Sequence, residues 1–207
     1  METVRIQDGD LSYAVKVILR GGLVAVPTET VYGLAGNALD AEAVARIYEV
    51  KGRPAIKPLN LLVTDLRMVH TVCAEVPESA RILAEAFWPG PLTMILPHNG
   101  TVQDIVTAGG NTIGVRCPDH PVTLEFLRLA GIPVVAPSAN ISDMPSPKNA
   151  DEVLEYFDGV IDCIIDGGAC TLGVESTIVS LVSEPYKILR RGALQEDAIR
   201  RVLKIPM

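Results

Sequence analysis

The sequence has few aromatic residues and no long apolar run, and each shortage excludes a class of function. Phe, Trp and Tyr make up 4% of the 207 residues, so a base-stacking platform for single-stranded nucleic acid is not expected. No basic segment followed by an apolar segment opens the chain, and no apolar run reaches membrane-spanning length. We therefore predict a cytoplasmic protein with no membrane contact.

Basic residues are outnumbered by acidic ones, which argues against a broad nucleic-acid surface. The chain has 18 Lys and Arg against 25 Asp and Glu, a formal net charge of -7. Such a balance disfavours an extended electrostatic footprint for nucleic acid, although a local basic patch remains compatible with it. A hydrophobic content of 48% predicts a globular core, and the length fits a single domain over residues 1–207.

Cysteine and histidine are too sparse or too scattered to indicate a metal centre. The four cysteines form no C-x-x-C pair, and each lies in or beside an apolar segment: Cys73, Cys117, Cys163 and Cys170. They are interpreted as reduced core or near-surface thiols rather than ligands, and no metal site is predicted. None of the three histidines adjoins a polar cluster, which disfavours a histidine metal site or a Ser-His triad: His70, His98 and His120.

Familiar nucleotide-binding and catalytic signatures are also missing. A phosphate-loop match fails because Val115 and Arg116 follow Gly109 and Gly114 where a Lys and a hydroxyl are required. No G-x-G-x-x-G follows a predicted strand, and no H-E-x-x-H, nucleophile elbow or kinase motif occurs. A nucleotide site in this chain must therefore be of another type.

Helical and strand patterns alternate along the chain, which predicts an α/β fold. Helices are predicted at 11–19, from Asp40 to about 51, and at 77–87, 121–131, 150–157 and 195–203. Asp8 or Asp10 would begin the first helix. Strands are predicted at 23–26, 59–63, 92–96, 112–116, 133–137, 160–165, 177–182 and 186–189. This order indicates a mostly parallel or mixed sheet with helices on both faces, and the short turn at 183–185 indicates an antiparallel final pair.

The segment 27–34, Pro-Thr-Glu-Thr-Val-Tyr-Gly-Leu, follows a buried strand and is the most informative motif. Its hydroxyls and backbone N–H groups suit a small polar ligand, because open α/β sheets bind ligands beyond the carboxyl ends of strands. A helix cap followed by a tight turn is the alternative. The motif alone leaves both interpretations open.

Cationic side chains recur where predicted elements end. Lys51 and Arg53 close the second helix, Arg116 ends one strand and Arg190 ends another. One such pair would only complement a helix dipole. Several of them in an acidic protein indicate convergence on an anion, which Arg binds through two parallel hydrogen bonds and Lys as a point charge.

Hydroxyl and amide side chains accompany these cations at further turns. Ser138 and Asn140 follow the strand at 133–137, Ser146 lies between two prolines, and Ser176 opens the strand at 177–182. Each alone could be a cap or a turn. Together they favour a polar pocket for a phosphorylated ligand. The segment 88–93, Trp-Pro-Gly-Pro-Leu-Thr, is interpreted instead as a structural corner.

Nine of these segments together resemble the YrdC family, the threonylcarbamoyl-AMP synthases, over nearly the whole chain. They are, in order, 27–34, 51–54, 57–59, 88–91, 115–118, 136–140, 145–147, 175–177 and 189–192. The resemblance implies a single YrdC-like α/β domain with a twisted sheet and a concave, positively charged cavity. It also implies a reaction that joins L-threonine, bicarbonate or CO2, and ATP into threonylcarbamoyl-AMP and pyrophosphate, for the modification of tRNA.

The resemblance carries residue roles onto matching positions. Lys51 and Arg53 are the implied catalytic residues and hold the phosphates and the incoming carboxylate. The implied ATP contacts are Lys51, Arg53, Ser138, Asn140, Ser146 and Arg190. The implied threonine contacts are Thr28, Arg116, Ser138 and Ser176. Mg²⁺ would accompany ATP with mostly nucleotide and water ligands, and the downstream threonylcarbamoyl transferase machinery would receive the product. A role for Glu29 or Glu175, and a weak direct contact with RNA, are left open.

Two departures from the family pattern and two rival functions qualify these expectations. The chain ends at Met207 shortly after its final predicted helix, and so resembles the short form of the family. Some members have a His in the strand that reads Asn60-Leu61-Leu62-Val63 here, so a threonine contact of that His is not carried over. The rivals are a carbamoyl-transfer domain that makes a related adenylate, and a non-catalytic module that binds double-stranded RNA.

Overall fold

Ten strands form one sheet in the computed structural model, which describes residues 2–7 and 9–204. Their order across the sheet is β1-β8-β2-β3-β7-β4-β6-β5-β9-β10. The strands are β1 (Val4–Ile6), β2 (Val24–Val26), β3 (Gly33–Asn37), β4 (Asn60–Leu62), β5 (Leu92–Pro97), β6 (Thr112–Arg116), β7 (Val134–Val135), β8 (Cys163–Ile165), β9 (Thr177–Ser180) and β10 (Lys187–Arg190). The sheet therefore extends through the whole described chain, whereas the exact limits of the domain within 1–207 stay a prediction.

Helices cover both faces of this sheet, as predicted. They are α1 (Ser12–Leu19), α2 (Ala41–Lys51), α3 (Leu66–Val72), α4 (Glu78–Phe87), α5 (Asp104–Thr107), α6 (Pro121–Ala130), α7 (Ala150–Phe157) and α8 (Glu196–Leu203). Alternation along β2 shows the two faces: Val24 and Val26 pack in one apolar cluster with α1 and α6. Ala25 packs in the other cluster, with α2, α4, α7 and α8. Successive strand side chains point to opposite faces, so each face needs its own helical cover.

The sheet is mixed, which changes where a ligand site forms. Of the nine strand pairings among the described residues, β1–β8, β2–β8, β4–β6 and β5–β9 are parallel and the other five are antiparallel. The final pair, β9–β10, is antiparallel as predicted. In a mixed sheet the beginnings of some strands lie beside the ends of others, so a site at one edge draws residues from both.

Local signals placed most elements correctly. The predicted boundaries of β6 and α7 match the structure, and the carboxylate of Asp40 accepts hydrogen bonds from the backbone N–H groups of Glu42 and Ala43 at the start of α2. Asp10 accepts one from the backbone N of Ser12 at the start of α1. The alternative cap, Asp8, lies outside the described residues.

Four short elements were not predicted from the sequence: β1, β3, α3 and α5. β3 is the instructive case, because two of its five residues, Gly33 and Gly36, have low strand propensity. A Cβ on Gly36 would lie 2.7 Å from Cδ1 of Ile47 in α2. The glycine therefore permits close packing of α2 on the sheet, which outweighs propensity here.

The cysteines are free thiols in the described chain. Cys73, Cys117 and Cys163 are buried and Cys170 is partly exposed. Burial raises the pKa of each of the four thiols, so they are poor nucleophiles and metal ligands at neutral pH. Among residues 2–7 and 9–204, no helix combines the length and apolarity needed to cross a membrane.

Candidate functional site

A polar cleft lies across the short strand β4 and collects most of the predicted site residues. With the solvent at its mouth it encloses about 700 Å³. Eleven residues that line it are polar or charged: Thr28, Thr30, Tyr32, Arg53, Asn60, Thr93, Arg116, Ser138, Glu175, Ser176 and Arg190. Apart from Arg53, which follows α2, these residues lie at one of two kinds of place. Some lie at or after the carboxyl ends of β2, β6, β7 and β10, and the others lie at the amino ends of β4, β5 and β9. The site draws on both ends of strands because the sheet is mixed.

The 27–34 segment both forms a tight turn and lines the cleft, so each of its two interpretations holds in part. The Thr28 hydroxyl donates to the backbone O of Val31 at 2.6 Å and lies 2.9 Å from Oγ1 of Thr30. Tyr32 Oη donates to the backbone O of Gly168 at 2.9 Å, and burial raises the pKa of that phenol. These bonds hold the loop in place with Thr28 buried at the cleft wall.

Lys51 is buried although it ends a helix. Its side chain is 1% exposed, and Nζ donates hydrogen bonds to the backbone oxygens of Ser138 and Asn140. Its own backbone O accepts a bond from the N of Ser142. Burial, aided by the charge of Arg53, lowers the pKa of Lys51 to about 7. Lys51 therefore positions the 138–142 loop from beneath and does not line the cleft.

Arg53 reaches the cleft directly. The residue before it, Gly52, ends α2 in the left-handed conformation at φ 56°, which turns the chain towards the cleft. The Arg53 guanidinium donates from Nε to the O of Lys57 at 3.1 Å and from Nη2 to the O of Pro58 at 2.9 Å. Burial lowers the pKa of this guanidinium, but Arg remains charged at any physiological pH.

Arg116 forms a buried ion pair with Glu29. Its Nη2 lies 2.7 Å from Oε1 of Glu29, with the two side chains 9% and 8% exposed. Its Nε donates to the O of Gly90 at 3.2 Å, and the other Glu29 oxygen accepts from the N of Asp119 at 3.0 Å. The predicted corner at 88–93 thus also orients a site residue.

This ion pair limits how Arg116 can bind a ligand. Among the described residues Nε donates to Gly90, Nη2 lies at ion-pair distance from Glu29 without hydrogen-bond geometry, and Nη1 makes neither kind of contact. Glu29 therefore competes with a substrate carboxylate for the Nη2 side of the guanidinium. The N–H groups of Nη1 stay available to a ligand, and two-point binding of a carboxylate by Arg116 stays a prediction.

Arg190 and Ser176, predicted for different substrates, are joined by hydrogen bonds. Arg190 donates from Nε to the O of Ser176 and from Nη2 to its Oγ, both at 3.0 Å. Ser176 Oγ lies 2.8 Å from Oγ1 of Thr93. Burial lowers the pKa of Arg190, and the nearby charges of Arg116 and Arg53 add to this effect. Three arginines therefore face one cleft, and the two predicted substrate sides share a network.

The remaining predicted ATP residues lie at different depths. Ser138 lines the cleft. Asn140 is 5% exposed and bonds within its own loop, from Nδ2 to the O of Ile141 and the O of Met144. Ser146 donates to Oε1 of Glu175 at 2.7 Å. The structure therefore supports a shaping role for Asn140 and joins Ser146 to the cleft through Glu175.

The polar cleft residues that were not predicted as site residues include Thr30, Asn60 and Thr93. Asn60 and Leu62 both line the cleft because alternate strand residues share a face. That alternation was readable in the sequence, but Asn60 was treated only as a departure from the family. Thr93 was absorbed into the corner at 88–93. No local signal marked it, since its neighbour Ser176 is far away in the chain.

The charge of the cleft suits an anion. Among the described residues, the three positive charges of the lining belong to Arg53, Arg116 and Arg190. Glu175 carries the single negative charge there. No cluster of three or more His, Cys, Asp or Glu side chains that could hold a metal occurs in the described part of the chain. A triphosphate or carboxylate ligand therefore fits the electrostatics.

Fold and cleft together define an α/β protein with an arginine-lined anion site on a mixed sheet. Residues 16–192 match the Sua5/YciO/YrdC family, described as "Telomere recombination". The chain belongs to this family. The resemblance seen in the sequence is thereby confirmed.

The chain is similar over most of its length to proteins named threonylcarbamoyl-AMP synthase. The threonylcarbamoyl-AMP synthase of Pyrococcus abyssi is 47% identical over 96% of this chain and 58% of its own length. The threonylcarbamoyl-AMP synthase of Bacillus subtilis is 42% identical over 95% of this chain and 57% of its own length. A crystal structure of P. abyssi Sua5 complexed with L-threonine superposes with a TM-score of 0.94 at 44% identity, covering 98% of this chain and 61% of that one. The chain thus spans about three fifths of the length of these relatives.

Proposed function

We propose that this chain forms threonylcarbamoyl-AMP and pyrophosphate from L-threonine, bicarbonate or CO2, and ATP. The observation that carries the proposal is the cleft in which Arg53, Arg116 and Arg190 surround the hydroxyl pair of Thr93 and Ser176. The cations fit a triphosphate and a carboxylate, and the hydroxyls fit a small polar amino acid. The names and the L-threonine complex of its relatives support the same choice.

The chemistry requires two successive steps between bound reactants. The amine of threonine attacks CO2, loses a proton and becomes a carbamate; from bicarbonate the same product forms with loss of water. A carbamate oxygen then attacks the α-phosphorus of ATP, the bond to the β-phosphate oxygen breaks, and pyrophosphate leaves. The protein needs no covalent intermediate for this, so its contribution is to hold the reactants together and to stabilise negative charge.

Each part of the cleft has a proposed share in this work. Arg53 and Arg190 would neutralise the phosphates, with Ser138 and Ser146 positioning the nucleotide. Lys51 would act mainly by fixing the Ser138 loop. Threonine would be held by Thr28, Arg116 and Ser176, with Nη1 of Arg116 donating to the threonine carboxylate. All of these roles rest on the contacts described above and on the family pattern.

Mg²⁺ is proposed to enter with ATP. The described residues hold no cluster of three or more His, Cys, Asp or Glu side chains, which fits an ion held mostly by nucleotide phosphates and water, as is usual for Mg²⁺. The ion would neutralise phosphate charge during the transfer. The product would pass to a threonylcarbamoyl transferase that modifies tRNA, which places the proposed activity in the cytoplasm.

The proposal predicts that pyrophosphate release requires all three substrates. Purified protein incubated with ATP, L-threonine and bicarbonate should release pyrophosphate and form an adenylate of the corresponding mass. Omitting threonine or bicarbonate should remove both products, because the carbamate nucleophile cannot form. Equal pyrophosphate release without threonine would instead indicate a nucleotide hydrolase and contradict the proposal.

Arg116 provides a test on the threonine side. Arg116→Ala should weaken threonine binding about 10- to 100-fold, the scale of one charged hydrogen bond and the unpaired carboxylate left behind. ATP affinity should change only a few-fold, as calorimetric titration of each ligand would show. Arg116→Lys is the companion variant, because it keeps a charge beside Glu29 and so preserves folding.

Arg128→Ala is the control for these Arg116 variants. Arg128 lies on α6 with its side chain 57% exposed, and its loss should leave both affinities unchanged. If Arg116→Lys lowers ATP affinity as severely as threonine affinity, the assignment of Arg116 to threonine is wrong.

A further inference from the structure

Glu175 is the one carboxylate that lines the cleft among the described residues, and the threonine and ATP assignments leave it without a role. It lies in the lining with Arg53, Arg116 and Arg190. The nearby Glu29 does not line the cleft, and both of its oxygens are engaged, one by Arg116 and one by the N of Asp119. An acidic group kept at the wall of a cationic cleft needs a reason.

The backbone of Glu175 is held firmly where the cleft meets β9. Its carbonyl oxygen accepts a hydrogen bond from the N of Ala193 at 2.8 Å. A Cβ on Gly192 would collide with the carbonyl oxygens of Glu175 and Ser176, so the glycine permits this close approach. The chain segment that carries Glu175 and Ser176 is therefore pre-positioned before any ligand binds.

The carboxylate is also held, but only at one oxygen. Oε1 accepts the hydroxyl hydrogen of Ser146 at 2.7 Å. This bond, a hydrogen bond from the backbone N–H of Glu175 itself and the charge of Arg190 lower the pKa of Glu175, so the group is negatively charged at neutral pH. No other described residue forms a hydrogen bond or ion pair with Oε2, which leaves it open to a cationic ligand group.

The ligand proposed for this cleft contains such a group. An amino acid is a zwitterion, and three arginines repel its ammonium group, a repulsion that a nearby carboxylate offsets. Residue 175 directly precedes Ser176, which the proposed function assigns to threonine. We propose that Glu175 binds the α-ammonium group of threonine and so selects amino acids over acids that lack an amine.

This inference rests on the proposed function, and it assigns the two charged ends of threonine to different walls. Arg116, at the end of β6, would take the carboxylate; Glu175, before β9, would take the ammonium. An anion at the ammonium site holds the amine beside the cleft wall until it loses its proton and reacts. Glu175 is thus a specificity-determining residue for the proposed reaction.

The test compares L-threonine with its hydroxy-acid analogue, (2S,3R)-2,3-dihydroxybutanoate, in which a hydroxyl replaces the amine. Dissociation constants are measured by calorimetry for the wild type, Glu175→Gln and Glu175→Asp. The binding experiments contain EDTA and no ATP, so a metal ion bound to Glu175 cannot contribute. Gln is nearly isosteric with Glu, and its side-chain oxygen still accepts the Ser146 bond.

The expected result is a change of selectivity. The wild type should bind threonine about 10- to 100-fold more tightly than the hydroxy acid, the range for a charged hydrogen bond. Glu175→Gln should weaken threonine by a similar factor and reduce the preference to about one, while Glu175→Asp retains part of it. The surface variant Glu125→Gln, on the exposed side of α6, should behave as the wild type.

Two other results have distinct meanings. If Glu175→Gln keeps the wild-type preference for threonine, or affects only the binding of Mg²⁺ and ATP, the inference is wrong while the proposed function stands. If the wild type neither binds threonine nor releases pyrophosphate in its presence, both the proposed function and this inference are wrong. An unchanged thermal unfolding midpoint of Glu175→Gln would confirm that altered binding is not a folding defect.

Discussion

Replacing Lys51 with Met should lower turnover by about 100-fold, because Lys51 positions the 138–142 loop and a misplacement of about 1 Å at a site can cost that much. The Lys51 amine donates to the backbone oxygens of Ser138 and Asn140, and Met has no donor to replace it. Two buried carbonyls lose their partners, so the free energy of unfolding should fall by about 1–3 kcal/mol. Steady-state kinetics and chemical denaturation measure the two effects.

The same variant should reveal a pH dependence of stability. Lys51 has a pKa of about 7 in the folded protein against an ordinary value of 10.5. Between these values the unfolded chain binds more protons than the folded one, so the free energy of unfolding rises with pH in that window. Below about pH 7 both states are protonated and this dependence disappears. The difference between the wild type and Lys51→Met should therefore widen from pH 7 upwards.

Lys57→Met is the matched control for Lys51. Its ammonium lies 3.5 Å from the carboxylate of Asp143, with the two side chains 48% and 84% exposed, so its loss should have little effect on stability. Unchanged turnover and stability of Lys51→Met would show that the 138–142 loop does not depend on this residue.

Removing Arg190 should have the other large effect, and it should reach both substrates. Arg190→Ala is expected to lower turnover by about 100-fold or more, since it removes a cation of the proposed phosphate site. Because Arg190 also donates to the O and Oγ of Ser176, threonine affinity should fall several-fold as well. The family resemblance assigns Arg190 to ATP alone.

A double-mutant cycle separates these contributions. Arg190→Ala, Ser176→Ala and the double variant should show a coupling of about 0.5–3 kcal/mol in threonine binding, because the two residues are in contact. The adjacent Arg191, 85% exposed and paired with Glu196, provides the control Arg191→Ala, which should leave both affinities unchanged. If the two single effects on threonine binding add up fully and Arg190→Ala binds threonine normally, the ATP side and the threonine side of the cleft act independently.

Much of this architecture was determined by the sequence itself, wherever the signal is local. The Asp40 cap, the apolar strand at Thr112–Arg116 and the amphipathic helix at Ala150–Phe157 depend on neighbouring residues, and their boundaries were predicted well. The ordered motifs also marked the residues of the cleft. Thr28, Arg53, Arg116, Ser138, Ser176 and Arg190 all line it.

The tertiary structure alone decided how those residues work together. The burial of Lys51 under a distant loop, the capture of Arg116 by Glu29 and the bond from Arg190 to Ser176 join segments from different parts of the sheet. Such pairings depend on strand order and direction, and the mixed sheet places β9 and β10 beside β5 and β6 at one edge. Charge, burial and hydrogen bonding act through space. Spacing along the chain could therefore predict which residues belong to the site but not which of them contact each other.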